Sequence, residues 1–225
     1  MPAPYCEIDG VTLYLGDCRE VTEWLKADVL VTDPPYGRAW KQGELDKRPN
    51  GHVGIAGDLD TTTRDAALTM WGDRPAVVFG DLMLAPPVGT KLVGAWRKQP
   101  NAGTRGAING LRRDLEAIYW IGSWPSGIGG VSSLILTGSR VAGGRISPQG
   151  QNGHPHSKPV DVMETLVDLC LPGVIADPFA GSGSTLVAAR NLGRRAIGVE
   201  IEERYCEVIA KRLAQGCLDL EGAPA

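Results

Sequence analysis

Long hydrophobic runs and paired cysteines are both missing from this sequence of 225 residues. No apolar run approaches the roughly 20 residues that cross a bilayer, and the N-terminus MPAPYCEIDG has neither the basic start nor the apolar core of a signal peptide. We therefore expect a cytoplasmic protein. The length suits a single α/β domain over residues 1–225 with one small insertion.

Metal and disulfide chemistry have little support in the sequence. The cysteines are odd in number and none forms a CxxC pair, so we expect free buried thiols and neither a disulfide framework nor a zinc site. They are Cys6, Cys18, Cys170, Cys206 and Cys217. His154 and His156 have no cysteine or acid at ligand spacing nearby, so we interpret them as polar loop residues and expect no metal.

The net charge of −3 argues against a general polyanion binder, but it hides an uneven distribution. Residues 91–145 contain eight basic residues against the acids Asp114 and Glu116, which gives +6 there and −9 elsewhere. The basic residues are Lys91, Arg97, Lys98, Arg105, Arg112, Arg113, Arg140 and Arg145. This segment is suited to phosphate contacts, and a solvated loop face is the alternative.

Hydrophobic periodicity predicts strands that alternate with helices. VTLYLGDC predicts a strand over Val11–Leu15 and then an amphipathic helix that carries Val21, Trp24 and Leu25 toward the core. Further strands are predicted at Val29–Val31, AVVFG, KLVGAW, EAIYWIG, GVIAD and AIGVE, and helices from Asp60–Thr61 to Trp71 and over 160–171, 183–192 and 202–215. This alternation predicts a doubly wound, mostly parallel sheet with ligands at the carboxyl ends of its strands.

The stretch DVLVTDPPYGRAW ends a short apolar run with an acid, two prolines and a tyrosine. Pro34 and Pro35 stop the strand at Asp33, because prolines lack N–H donors and fix φ. The Asp33 carboxylate and the Pro34 carbonyl are then two rigidly held acceptors beside Tyr36. A solvated turn that contains Tyr36 is the alternative interpretation.

A second motif, VIADPFAGSGSTLVAARNLGRRAIGVEI, places Asp177 at a strand end, Gly181 and Gly183 in a turn before a helix, and Glu200 at the end of the next strand. Such glycines let the backbone approach a ligand closely, and an acid about twenty residues later can accept hydrogen bonds from ribose hydroxyls. The motif therefore predicts a nucleoside site, with a plain turn and a helix cap at Glu200 as the alternatives. No lysine stands where a Walker motif needs it, which counts against a nucleotide triphosphatase.

Together, DPPY, DPFAGSGST and HPHSKP resemble the S-adenosylmethionine-dependent amino-methyltransferases that modify DNA. Their order, with DPPY first and the glycine motif near the C-terminus, resembles the circularly permuted β group of that family. The resemblance implies a Rossmann-like class I methyltransferase fold in which the DPPY strand lies beside the glycine strand. It also implies S-adenosyl-L-methionine as the cofactor and double-stranded DNA as the partner, with dimers known in the group.

The resemblance also implies roles for individual residues. The catalytic set is Asp33, Pro34, Pro35 and Tyr36. The cofactor set is Asp17, Cys18, Asp33, Lys158, Asp177, Phe179, Gly181, Gly183, Ser184 and Glu200, with Asp17 at the adenine and Lys158 near the methionine carboxylate. Plain alternatives are a helix cap for Asp17, a core position for Phe179 and a solvated Lys158. DNA contacts are expected between residues 97 and 153, from Arg97, Lys98, Arg105, Arg112, Arg113, Arg140 and Arg145.

In the implied mechanism, Asp33 and the Pro34 carbonyl accept the hydrogens of an exocyclic amine, so that its lone pair points at the sulfonium methyl. The base must first leave the duplex, and Tyr36 offers it a stacking face. No Pro-Cys nucleophile motif is present, in keeping with direct transfer. Adenine is the expected target because Asp opens the tetrapeptide. The alternatives are cytosine N4 methylation and a DNA- or cofactor-binding module without activity; related folds with Asn at that position methylate RNA or protein amides.

Overall fold

The computed structural model describes residues 2–38, 57–99, 108–127, 129–136 and 157–215. Within them, nine strands form one sheet. The strands are β1 (Cys6–Ile8), β2 (Val11–Leu15), β3 (Val29–Thr32), β4 (Ala76–Gly80), β5 (Thr90–Arg97), β6 (Leu115–Ile121), β7 (Leu134–Leu136), β8 (Ile175–Asp177) and β9 (Ala196–Glu200). The α-helices are α1 (Thr62–Trp71), α2 (Val160–Asp168), α3 (Ser184–Asn191) and α4 (Glu203–Ala214).

The strand order across the sheet is β1-β2-β9-β8-β3-β4-β6-β5-β7. The five neighbours β2, β9, β8, β3 and β4 are parallel, whereas β1 and β6 run antiparallel to their partners β2 and β4. The sheet is therefore mixed and mostly parallel, which confirms the predicted α/β class. The prediction that the DPPY strand lies beside the glycine strand is also confirmed, because β3 pairs directly with β8.

Both faces of the sheet are buried at its central strands β3 and β4, where apolar clusters lie on each side. Along β3, Val29 and Val31 belong to one hydrophobic cluster and Leu30 to the other. Successive strand side chains point to opposite faces, so an unbroken apolar run is what a strand covered on both sides requires. Helices α2, α3 and α4 supply the first cluster with Met163, Leu166, Leu186, Ile209 and Leu213, and α1 and the Trp24 region supply the second.

One local prediction was wrong. The segment after β2 was expected to form an amphipathic helix, but it forms only a short 3-10 helix over Glu23–Lys26. Trp24 is fully buried as expected, its indole donates to the Cys18 carbonyl at 2.9 Å, and it stacks on Trp71 at 5.8 Å. Burial of that ring, rather than helical periodicity, fixes the segment.

The antiparallel strands bring the basic segment to the carboxyl edge of the parallel strands. Gly80, the last residue of β4, pairs with Ala117, and Arg97, the last residue of β5, pairs with Leu115. The start of β6 and the end of β5 therefore lie at the edge where β3 delivers Asp33.

Several predictions fall outside the described residues. They concern Arg105, Arg140, Arg145, His154, His156, Cys217 and residues 100–107, 128 and 137–153 of the proposed recognition region. In the part of the chain that the structure describes, no helix is both long and apolar enough to cross a membrane.

Candidate active site

The site begins where β3 and β8 end side by side. Thr32, the last residue of β3, donates a hydrogen bond of 2.6 Å to the carboxylate of Asp177, the last residue of β8. Burial raises the pKa of Asp177 to about 6, although hydrogen bonds from Thr185, Thr32 and the Phe179 amide oppose that rise. This bond ties the strand that carries Asp33 to the strand that leads into the glycine turn.

Asp33, which is partly exposed, forms an ion pair with the buried Lys158. The Lys158 ammonium lies 2.5 Å from Asp33 Oδ2, and the lysine side chain is only 6% exposed. The alternative of a solvated lysine is therefore wrong. Lys158 immediately precedes Pro159 at the start of α2, and its backbone carbonyl accepts a hydrogen bond of 2.7 Å from the Ser184 hydroxyl at the start of α3.

Glu116 is the second carboxylate of the site. Its Oε2 lies 3.2 Å from Lys158 Nζ, and its Oε1 lies 2.5 Å from Lys98 Nζ. Burial alone raises the pKa of a carboxyl, but Lys158 and Lys98 outweigh it and lower the pKa of Glu116 to about 2. Burial opposes the charged form of Lys158 as well, yet Asp33 and Glu116 raise its pKa above the ordinary value. Glu116 and Lys158 are therefore both charged at neutral pH.

Tyr36 connects the two carboxylates. Its hydroxyl is 2.8 Å from Asp33 Oδ1 and 3.1 Å from Glu116 Oε2. Burial, reinforced by the two negative charges, raises the pKa of Tyr36 well above 10, so the hydroxyl remains a donor. The Lys158 ammonium lies 5.5 Å from the Tyr36 ring centre and 5.0 Å from that of Phe79, within the range of cation–π attraction.

The chain after Tyr36 is anchored by a buried acid. Asp58 accepts hydrogen bonds from the backbone N–H groups of Gly37, at 2.8 Å, and Arg38, at 3.3 Å. Arg38 in turn pairs with Asp81, which follows β4, at 2.6 Å. A Cβ on Gly37 would lie 2.8 Å from the backbone of Asp60, so only glycine fits here. These contacts hold the segment that positions Tyr36.

The glycine turn is organised by Glu200. The Gly181 amide donates to Glu200 Oε2 at 2.7 Å, and the Glu202 amide donates to Oε1 at 2.8 Å. Burial raises the pKa of Glu200 to about 7, against the lowering effect of these two hydrogen bonds. The motif is thus the predicted strand, turn, helix, strand and acid, and Glu200 still has lone pairs for further donors.

Gly183 has a packing role that was not predicted from the sequence. Its φ is +81°, and an added Cβ would lie 2.8 Å from Ile209 Cγ1 of α4. The glycine therefore allows α3 and α4 to pack closely. Contact with a ligand through the Gly183 backbone stays a prediction.

The remaining members of the predicted cofactor set lie around the same edge. Leu15 pairs with Glu200, so Asp17 follows the end of the strand next to β9. Its carboxylate binds Arg19 at 2.5 Å, and this partner lowers the pKa of Asp17. Cys18 is buried, and burial raises its pKa to about 12. Phe179 is partly buried against the second hydrophobic cluster, so its core alternative stays open.

The basic residues that the structure describes differ in their contacts with acids. Arg97 and Arg112 lie 4.0 Å and 3.4 Å from Asp114, and Lys98 is committed to Glu116. Arg113 is exposed. Their contacts with DNA stay a prediction, but Arg97, Arg112 and Arg113 lie at the edge of the sheet that carries Asp33.

Glu116 was not predicted as a site residue, because in the sequence it is only one of two acids in a basic segment. The available signal was the lack of a helical pattern between KLVGAW and EAIYWIG. Parallel neighbours need a long crossover, usually a helix, so two strands without one are expected to be antiparallel. That arrangement places the first residues of EAIYWIG at the carboxyl edge.

Solved structures share this architecture. M1.HpyAVI, in a complex with SAM, aligns with a TM-score of 0.63 and 22% identity over 90% of this chain and 98% of that one. The PvuII DNA methyltransferase, described as cytosine-N4-specific, aligns with a TM-score of 0.55 and 16% identity over 98% of this chain and 100% of its own. At these identities the similarity shows the fold.

Sequence comparison adds the family. The type II methyltransferase M.ScaI of Streptomyces caespitosus is 40% identical over 75 residues, which is 32% of this chain and 25% of that protein. M.HindIII of Haemophilus influenzae is 36% identical over 80 residues, 35% of this chain and 26% of its own length. These matches thus span about a quarter of each curated relative. A family profile for N6 and N4 DNA methylases matches residues 95–212, more than half of the sequence, and the chain therefore belongs to the N6/N4 DNA methylase family.

Proposed function

We propose that this protein transfers a methyl group from S-adenosylmethionine to the exocyclic amine of adenine in duplex DNA. The observation that carries the proposal is the adjacency of Asp33 and the glycine turn, which the bond between Thr32 and Asp177 fixes. An acceptor for an amine and a nucleoside-type turn thereby share one edge of the sheet, which is where open α/β sheets bind ligands.

The residues of the turn fit the proposed cofactor. Glu200 is buried, holds two backbone amides and retains acceptor capacity for ribose hydroxyls. Asp17, one strand further along the same edge, is the proposed adenine contact. When bound, S-adenosylmethionine supplies an electrophilic methyl group on a sulfonium. M1.HpyAVI, which has this fold, is described in complex with SAM.

The protein's own contribution is orientation and charge. An exocyclic amine is a weak nucleophile because its lone pair is delocalised into the ring. Asp33 and the Pro34 carbonyl accept hydrogen bonds from its two N–H groups, which draws the nitrogen toward tetrahedral geometry and exposes the lone pair. The nitrogen would gain the methyl group as the S–C bond breaks, and it would then release one proton to solvent. The flipped base stacks against Tyr36, whose hydroxyl lies within hydrogen-bond distance of Asp33 and Glu116 and can donate to either.

Adenine is favoured over cytosine by the aspartate that opens DPPY. The family includes enzymes for both amines, and one solved structure of this fold is described as cytosine-N4-specific. Cytosine N4 methylation is therefore the second candidate. We also propose that the chain belongs to the permuted β group, because β3 precedes β8 in the sequence. In this proposal, residues 97–153 read the target sequence, and the protein forms dimers.

Mass spectrometry of nucleosides tests the function. Duplex DNA without prior methylation is incubated with the protein and S-adenosylmethionine, digested and separated. We expect N6-methyldeoxyadenosine to accumulate. N4-methyldeoxycytidine instead would support the second candidate, and cofactor binding without any methylated nucleoside would identify a binding module.

A further inference from the structure

Two donors already occupy the Asp33 carboxylate. The Tyr36 hydroxyl is 2.8 Å from Oδ1, and the Lys158 ammonium is 2.5 Å from Oδ2. Each oxygen can accept a second donor, but an amine that donates to Oδ2 must share that oxygen with a buried cation, which weakens the hydrogen bond to the amine. An ammonium binds a carboxylate more strongly than a neutral amine does, so the bond to the amine reaches full strength only when the ammonium moves to another acceptor.

Glu116 is a second acceptor for the Lys158 ammonium. Its Oε2 lies 3.2 Å from Lys158 Nζ, so a shift of the ammonium by less than about 1 Å completes a normal charged hydrogen bond. The Lys158 side chain is 6% exposed, and a buried ammonium without a counter-ion is strongly disfavoured. We propose that Glu116 is a positioning residue, which takes the Lys158 ammonium from Asp33 when the target amine enters and so frees Asp33 to accept a hydrogen from it.

The surroundings of Glu116 suit this exchange. Lys98 lies 2.5 Å from the other oxygen, Oε1, and holds the carboxylate in place while Oε2 remains directed at Lys158. The Tyr36 hydroxyl lies within hydrogen-bond distance of both acids, so it retains an acceptor in either arrangement. No proton is transferred, and Lys158 stays charged throughout. The inference rests on the proposed methyl transfer and assigns a role to a residue outside the DPPY motif.

Loss of the Glu116 charge should make methyl transfer depend on pH. In the described part of the chain, the titratable groups around Lys158 are Asp33, Tyr36 and Glu116, with Lys98 and Asp177 behind them. In Glu116→Gln, Asp33 is the only counter-ion of Lys158 among the described residues, so charged Lys158 stays on Asp33 and weakens its hydrogen bond to the amine. Raising the pH removes the lysine proton and releases Asp33. The variant should therefore recover methyl transfer at high pH, whereas the wild-type enzyme should transfer methyl groups without needing high pH.

The test is single-turnover transfer to DNA with saturating cofactor from about pH 7.5 to 9.5, above the ordinary histidine range. We expect the wild-type rate to vary by less than about twofold, and the Glu116→Gln rate to be at least about tenfold lower at the acid end and to rise with pH. Glu116→Asp keeps the charge and should show a flat profile. Glu207→Gln, on the 58% exposed side chain of Glu207 in α4, is the matched control and should behave as wild type.

A second readout does not involve the reaction. NMR of the lysine side chains in the cofactor-free protein, with Lys158→Met to assign the signal, should show Lys158 titrating at lower pH in Glu116→Gln than in the wild type, because one of its two counter-ions is gone. An unchanged titration contradicts the inference, as does a Glu116→Gln rate that equals wild type or is reduced by the same factor at every pH. Absence of transfer by the wild type at any pH contradicts the proposed function itself, and the inference falls with it.

Discussion

The hydroxyl of Thr32 lies 2.6 Å from the carboxylate of Asp177, and this bond joins the two strand ends on which the site is built. Thr32 directly precedes Asp33, and Asp177 directly precedes the segment that leads into the glycine turn. Each carboxylate has a different function in the account. Asp33 is partly exposed and available to a substrate, whereas Asp177 is buried and acts within the protein.

Thr32→Val tests this connection. Valine has nearly the same shape but leaves the buried Asp177 carboxylate without one donor, so we expect a loss of about 1–3 kcal/mol in the free energy of unfolding. The pKa of Asp177 is about 6, and the hydrogen bond favours the ionised form, so the loss should be larger at about pH 8 than at about pH 4.5. Urea unfolding at both pH values measures the loss in the free energy of unfolding, with Thr12→Val on β2 as the control. Equal losses at the two pH values would contradict the assignment.

Glu200→Gln should change how stability depends on pH. Burial raises the pKa of Glu200 from 4.5 to about 7, so the folded state binds this proton more tightly than the unfolded state does. Its contribution to stability is therefore full below about pH 4.5 and declines as the pH rises through about 7. Glu200→Gln should remove that decline, which is on the order of 1–3 kcal/mol. Unfolding free energies that depend on pH in the same way in both proteins, between about pH 4.5 and 8, would argue against a buried, protonatable Glu200.

Glu200 should also govern the pH dependence of cofactor affinity. In the proposed site, ribose hydroxyls donate to the ionised carboxylate, so we expect the affinity of the wild type to fall below about pH 7, by up to about tenfold per pH unit. Glu200→Gln should bind more weakly and without this dependence. Calorimetry with S-adenosylmethionine measures both. A pH-independent wild-type affinity would remove Glu200 from the ribose site.

Gly183→Ala should lower stability through α4. The new Cβ would lie 2.8 Å from Ile209 Cγ1 at a backbone φ of +81°, so both contact and conformation are unfavourable, and we expect a loss of about 2–4 kcal/mol. Adding Ile209→Ala removes the contact but not the strain, so the double variant should lose less than the sum of the single losses. Chemical unfolding of the four proteins gives the coupling energy. Simple additivity would mean that the two residues do not meet.

Removal of the charges of Arg112 and Arg113 should weaken DNA binding. Both lie just before β6 at the edge that carries Asp33, and each phosphate that is no longer neutralised should reduce the slope of log affinity against log salt by about one. Cofactor affinity should not change. Lys211→Ala is the control, because that side chain is 75% exposed on α4 and lies outside the basic segment 91–145. An unaltered slope in the double variant would show that these arginines face solvent.

Much of the fold could be predicted because short segments of the sequence carry the pattern of the strand or helix that they form. The run Val29–Val31 is apolar at every position, which a strand buried on both faces requires, and Pro34 and Pro35 set its end. The short segment after β2 could not be predicted from periodicity, since its form depends on the stacking of Trp24 on Trp71, which is distant in sequence.

The site could be predicted only where motif residues are consecutive. Asp33 and Glu200 belong to local patterns, and the structure places both at strand ends on the same edge of the sheet. Glu116 enters the site only because β6 runs antiparallel to β4, and its partners Lys98 and Lys158 come from two other segments. Gly183 shows the opposite case, since its pattern was recognised but its contact with Ile209 depends on how α4 packs.

We propose that Asp33 acts on the amine of the target base and not mainly in cofactor binding or folding. Asp33→Ala should fold, because Glu116 still balances Lys158 at 3.2 Å. Loss of a charged acceptor that acts mainly in the transition state should cost roughly 3–4 kcal/mol, on the order of a hundredfold to a thousandfold in rate.

The most direct measurement is the single-turnover rate of methyl transfer to DNA by Asp33→Ala, with thermal melting and cofactor affinity determined on the same preparation. The account predicts a cooperative melting transition, cofactor affinity within about tenfold of wild type and the large loss of rate stated above. A folded Asp33→Ala protein that transfers methyl groups at nearly the wild-type rate would contradict it.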